Sequence, residues 1–154
     1  MKNKKYFWII LFFVGLIFIS CKKDFDSLYK QMIKEEKNVF LEHPDYSSSI
    51  NDAYMKIYKM GKENNNNLVE LAINENPTNW LTDFSYRPIT DGDLAISLLI
   101  DINEISDEEF YLLMPLELRN EYDKNGVVVF WDWIHENVIN RKYVINQLIK
   151  IINS

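Results

Sequence analysis

Thr90-Asp91-Gly92-Asp93-Leu94-Ala95-Ile96-Ser97-Leu98-Leu99-Ile100-Asp101-Ile102 is the stretch on which the fold turns. Thr90 and Asp93 stand three residues apart, the spacing of a capping box, and acids in a first turn favour the positive end of a helix dipole. From Leu94 onward the stretch is apolar on nearly every side, which is expected of a central, buried helix. Leu98 to Ile102 alone would suit a buried strand, but Leu and Ala behind an acidic start favour helix.

On either side of it lie stripes of helical period. Phe25, Leu28, Tyr29, Met32 and Ile33 repeat at i, i+3, i+4, i+7 and i+8, with Val39 and Phe40 continuing, so a helix is predicted over 25–42, ending at His43-Pro44. Ile50, Ala53, Tyr54, Ile57 and Tyr58 predict a second over 47–62, and Leu68, Leu71 and Ala72 a shorter one over 66–75. Residues 77–90 have no clear period and are read as a packed loop. Ser106 and Glu109 form another capping box, opening a short helix through Leu113, and Leu116 to Tyr122 adds a further turn. Val127-Val128-Val129-Phe130 is strongly β-prone but has no evident strand partner, so it is placed at the start of a helix running to about Glu136. Residues 138–153 close the chain, with Ile145, Leu148, Ile149 and Ile152 as the inner stripe. The expected fold is all-α, a compact bundle of about seven short helices forming one domain over 25–154.

The first 20 residues differ from the rest. Lys2, Lys4 and Lys5 precede an apolar run from Tyr6 to Ile19, then Ser20 and the sole cysteine, Cys21. That is the layout of a secretory signal, and the run is short for a bilayer span, which takes about 20 apolar residues. Without those three lysines the net charge of −6 becomes −9. Residues 21–154 suffice for one core but not for two ordinary domains, and aromatic and aliphatic residues are too abundant for a disordered chain. One cysteine allows neither an intramolecular disulfide nor a cysteine metal cluster.

Phe18-Ile19-Ser20-Cys21 resembles the lipobox of bacterial lipoproteins, with Phe18 where Leu is commonest. The resemblance implies that residues 1–20 are removed and that Cys21 carries the lipid that holds the protein to a membrane. It also implies the outer membrane, since Lys22 stands where the inner-membrane retention signal has Asp. Cys21-Lys22-Lys23-Asp24-Phe25-Asp26 is similar to the charged signals that send some lipoproteins to the cell surface. Residues 21–24 leave a tether of only about 14 Å, at roughly 3.4 Å per residue.

Candidate chemistry is sparse. His43 and His135 are the only histidines, and His135-Glu136 fails as a zinc-protease helix because Ile139 occupies the second histidine position. The acids around the central helix lack the alternation of a calcium loop, and their places at helix starts suit capping. No cofactor is expected. Nucleic acid is an unlikely partner for so acidic a domain. Trp80, Trp131 and Trp133 could form an aromatic platform for a glycan, against the plainer reading of core packing.

The stretch from Arg87 to Ile102, with its Gly-Asp pair, and Asn140-Arg141 near the C-terminus are similar to segments of small helical proteins of unknown function, some of them lipoproteins. The resemblance suggests that Asp93 is paired with Arg87 or Arg141, because an unpaired buried charge is costly. The expected function is that of a non-enzymatic, lipid-anchored envelope protein acting by protein contact. An immunity or inhibitor role is the specific form, in which an acidic domain meets a basic partner. A glycan- or ligand-binding lipoprotein is the alternative.

Overall fold

The computed structural model describes residues 24–34, 37–38, 52–81 and 88–154. The signal, lipobox and Cys21 lie outside these residues, as do Arg87 and His43.

Helix α1 (24–34) buries Phe25, Tyr29 and Met32, as its stripe predicts, but the chain is already extended at β1 (Lys37–Asn38). The sequence pattern overran the helix end, and the reason is tertiary. The indole nitrogen of Trp80 donates to the Met32 carbonyl at 2.7 Å, and the Asn79 amide donates to the Lys34 carbonyl at 2.9 Å. These side chains tie the last described turn of the helix to a neighbouring strand. They belong to β2 (Pro77–Leu81), against which β1 then pairs in parallel, Lys37 opposite Trp80.

Between them come α2 (Asp52–Met60), a 3-10 turn (Gly61–Asn64) and α3 (Asn65–Leu71). β3 (Pro88–Thr90) pairs antiparallel with β2, giving a three-stranded sheet of order β1-β2-β3. The segment 77–90, expected as a loop, is therefore partly strand. Each of β2 and β3 begins with proline, a position where the missing N–H costs little.

α4 (Asp91–Ile102) is the central element, and every residue from Asp91 to Leu99 is buried. Its capping box is present in full. The Thr90 hydroxyl accepts from the Asp93 N–H at 3.2 Å, and the Asp93 carboxylate accepts from the Thr90 N–H at 2.8 Å. α5 (Asp107–Leu112) starts with the second box, Ser106 with Glu109. The Glu109 carboxyl sits below the usual range because the Ser106 N–H and hydroxyl bond to its charged form.

α6 (Leu116–Asn125), α7 (Val127–Glu136) and α8 (Val138–Ile152) complete the chain. The valine run is helical, as expected, and Gly126 at φ 75° supplies the sharp turn before it. Phe130 and Ile134 of α7, and Val144, Ile145 and Leu148 of α8, close on α4 together with Ala53, Ile57 and Leu68. Full burial of an aliphatic or aromatic side chain contributes roughly 1.5–3 kcal/mol, so this shared core holds the helices together. The domain is all-α in class, with one small sheet. Among the described residues, no helix is long and apolar enough to cross a membrane.

Candidate functional site: the ionic hub at the head of the central helix

Gly92 lets the head of α4 approach the end of α3 closely. A Cβ there would lie 2.3 Å from the Asn74 carbonyl oxygen, 2.7 Å from that of Ala72 and 2.7 Å from Arg141 Nη1. Only a residue without a side chain fits. The acids on either side of Gly92 then divide the work.

Asp91 fastens the loop between α3 and β2. Its carboxylate accepts from the Asn76 N–H at 3.2 Å, the Asn76 amide at 3.0 Å and the Gly92 N–H at 2.9 Å. Its own N–H donates to the Asn76 carbonyl at 2.9 Å, and the Tyr29 hydroxyl of α1 donates to its carbonyl. Burial, with the nearby Asp91 and Asp93 charges, raises the Tyr29 pKa far above that of a free phenol, so this donor stays protonated.

Asp93 is the hub. Arg141 Nη2 of α8 lies 2.7 Å from Asp93 Oδ1, and His135 Nε2 of α7 lies 2.7 Å from Oδ2. The side chains of Asp93 and Arg141 are 2% and 1% exposed, that of His135 16%. A carboxylate only accepts, so the imidazole donates from Nε2. Arg141 also donates from Nη1 to the Ala72 carbonyl at the C-terminal end of α3, at 3.1 Å, and from Nη2 to the Thr90 hydroxyl at 3.4 Å. One guanidinium thus joins the negative end of α3 to the positive end of α4. Burial by itself would raise the Asp93 carboxyl. The His135 hydrogen bond, the charges of Arg141 and His135 and the Thr90 N–H outweigh it and hold the pKa below the ordinary value.

A pH dependence follows. The folded-state pKa of Asp93 lies below the unfolded value of 3.8, so the stability it contributes is complete above that value and is lost as pH falls through the folded one. Denaturant midpoints taken from about pH 6 to pH 2 should fall more steeply for the wild-type chain than for Asp93→Asn. Parallel curves would show that Asp93 contributes nothing of the kind.

Of the residues expected to matter, Asp93 and Arg141 are brought together here. The tryptophans are not. Trp80 is 1% exposed and its indole N–H is bound to Met32, so it belongs to the core and cannot face a glycan. Its burial follows from holding the end of α1 against β2. Trp131 and Trp133 are half-buried on α7, and residues two apart on a helix project on nearly opposite sides. Trp131 packs edge-on to Phe130 and Trp133 edge-on to Tyr143. No common platform forms.

His135 is the participant that sequence reasoning missed. Its partner is 42 positions away, and no local pattern joins them. Arg141 carried a signal, because it shares the inner face of α8 with Val144, Ile145 and Leu148. Chemically, the hub is a hydrogen-bonded ionic clamp that joins four helices. His135 Nε2 is engaged with Asp93, and the nearest free hydroxyl along α4, Ser97 Oγ, is buried without a partner. Among the described residues, no group of three or more His, Cys, Asp or Glu side chains could hold a metal ion.

Fold and hub define a small all-α domain with a three-stranded sheet, organised on a buried Asp-Arg-His cluster. Compared with known proteins, the chain matches no family model, no curated protein and no solved structure.

Proposed function

We propose that the chain is a lipid-anchored protein of the bacterial cell envelope, held to the outer membrane through Cys21, that works by contact with another protein. An immunity or inhibitor lipoprotein is the specific form. The observation that carries this reading is the place of the only cysteine, at the end of an apolar run that begins behind three lysines. Two or three acyl chains on that sulfur and its new amino terminus would hold the domain durably, since one chain alone anchors marginally.

Contact rather than catalysis is supported by how the charges are distributed. The buried hub binds its own charges internally, whereas Asp107, Glu108, Glu117, Glu121 and Asp123 of α5 and α6 are exposed. An acidic surface speeds the encounter with a basic partner and rejects an acidic one.

Cells fed labelled palmitate should incorporate the label into the wild-type protein and not into Cys21→Ser, which stays as the larger precursor. Globomycin should block the same processing step. Fractionation should place the wild-type protein in the outer membrane and Lys22→Asp in the inner. Label retained by Cys21→Ser, or a wild-type protein free of membranes, would remove the anchor from the proposal.

A further inference from the structure

Five large apolar residues are exposed among those described: Tyr58, Leu112, Leu116, Val138 and Ile139. Single exposed leucines are ordinary. Leu112 and Leu116 are unusual in their setting. They bracket the turn between α5 and α6, at 49% and 69% exposure, while Leu113 and Met114 between them are fully buried. The turn is braced from inside by Arg119 Nε, which donates to the Met114 carbonyl at 3.1 Å. Tyr111 of α5 packs edge-on to Tyr122 of α6 and its hydroxyl donates to Asp123, so the two helices form a fixed hairpin.

The charge on this hairpin is predominantly negative. Residues 104–125 carry Glu104, Asp107, Glu108, Glu109, Glu117, Glu121 and Asp123 against Arg119 and Lys124. Glu109 is used in its capping box and Asp123 by Tyr111. Among the described residues, no ion pair joins these carboxylates to a lysine or arginine. The exposed pair on α8 differs, since Val138 and Ile139 are flanked by exposed charges of both signs, Glu136 and Lys142. The hairpin also leaves α4 at the end opposite the one held by Tyr29 of α1, the helix nearest the anchor.

We propose that the α5–α6 hairpin is the docking surface for the protein partner, which presents basic residues around an apolar recess that receives Leu112 and Leu116. This deepens the contact reading above and rests on it. An apolar centre within a polar rim is the ordinary anatomy of a specific interface. The carboxylates guide the approach and set the register, and the leucines slow departure.

The test uses the full-length lipoprotein in zwitterionic nanodiscs, with a synthetic amphipathic peptide of leucine and lysine as the probe. Empty nanodiscs give the background. A photo-cross-linker at position 112 or 116 should capture the peptide, and one at position 58 or 139 should not. Affinity should fall about tenfold in Leu112→Ser/Leu116→Ser and in Glu108→Lys/Glu117→Lys/Glu121→Lys. These positions are exposed, and unchanged melting curves will show that the variants fold. A leucine-free lysine peptide should bind more weakly than the amphipathic one. Equal binding of a leucine-glutamate peptide, capture mainly at position 139, or cross-linking of the chain to a second copy would overturn the proposal. In cells, cross-linkers at all four positions separate the two levels of inference. A protein captured only from positions 58 and 139 sinks this surface and leaves the contact reading standing, and no protein captured from any position sinks that reading itself.

Discussion

Arg141→Ala lowers the unfolding free energy by about 3–5 kcal/mol, the loss expected when one partner of a buried ion pair is removed. Arg141 is 1% exposed, and its guanidinium serves Asp93, the Ala72 carbonyl and the Thr90 hydroxyl. Without it, Asp93 keeps only His135 and the Thr90 N–H, and the Ala72 carbonyl at the end of α3 loses its donor. A domain of this kind has roughly 5–15 kcal/mol in all, so the variant stands near the edge of folding. Its melting point should fall by roughly 6–20 °C.

The pairing itself is tested by the cycle with Asp93→Ala. Each single variant leaves a buried group without its counterpart, but the double variant leaves neither, so its loss should be smaller than the two single losses summed. Arg141→Lys should recover only part of the stability, because an ammonium cannot spread its donors over three acceptors as the planar fork does. A melting point for Arg141→Ala within two or three degrees of wild type, at the scale of about 2–4 °C per kcal/mol, would rule out this account of the hub.

Gly92→Ala should cost about 3 kcal/mol, at the upper end of the usual penalty for overpacking. Alanine is the better helix former by about 1 kcal/mol, which works in the opposite direction and makes the sign of the result informative. Two of the three atoms a methyl group would meet are the backbone carbonyl oxygens of Asn74 and Ala72, at 2.3 and 2.7 Å. They cannot turn aside as a side chain does. α4 would have to back away from α3, stretching the Arg141 bond to Ala72 and loosening the Asp91 contacts to Asn76. The third atom is Arg141 Nη1, so the cost of the methyl group should be less in an Arg141→Ala background than in the wild type. Chemical denaturation of the four variants measures this, and a Gly92→Ala chain as stable as wild type would show that the helices approach less closely than the geometry states.

Sequence spacing located α4 and both capping boxes because each is a local matter, decided by residues three or four positions apart. The inner stripes of α1, α2 and α8 were legible on the same ground, since Phe25, Tyr29 and Met32, or Ala53, Tyr54 and Ile57, declare a face by spacing alone. The valine run is placed in a helix on another ground, the lack of an evident strand partner for a β-prone stretch. Where α1 ends was not legible. The apolar pattern runs on toward Phe40, but Trp80 and Asn79 take the carbonyls of Met32 and Lys34, and the chain leaves the helix to pair with their strand. The sheet was hidden for the same reason. Strands of two, five and three residues, two of them starting with proline, have too little pattern of their own and exist only through pairing across the chain.

The hub shows the division most sharply. Asp93 in an apolar helix and Arg141 in an apolar stripe each signal a buried charge, and a buried charge requires a partner. Sequence by itself therefore determined that one buried helix organises the domain, and it raised the expectation that Asp93 is paired with Arg87 or Arg141. Which side chains reach Asp93 was decided only by tertiary structure. Arg141 and His135 stand 48 and 42 positions away, and the packing of α7 and α8 on α4 places both within 2.7 Å. The exclusion of Trp80 from any ligand surface was decided there too, because burial depends on the elements that close over a side chain and not on the side chain alone.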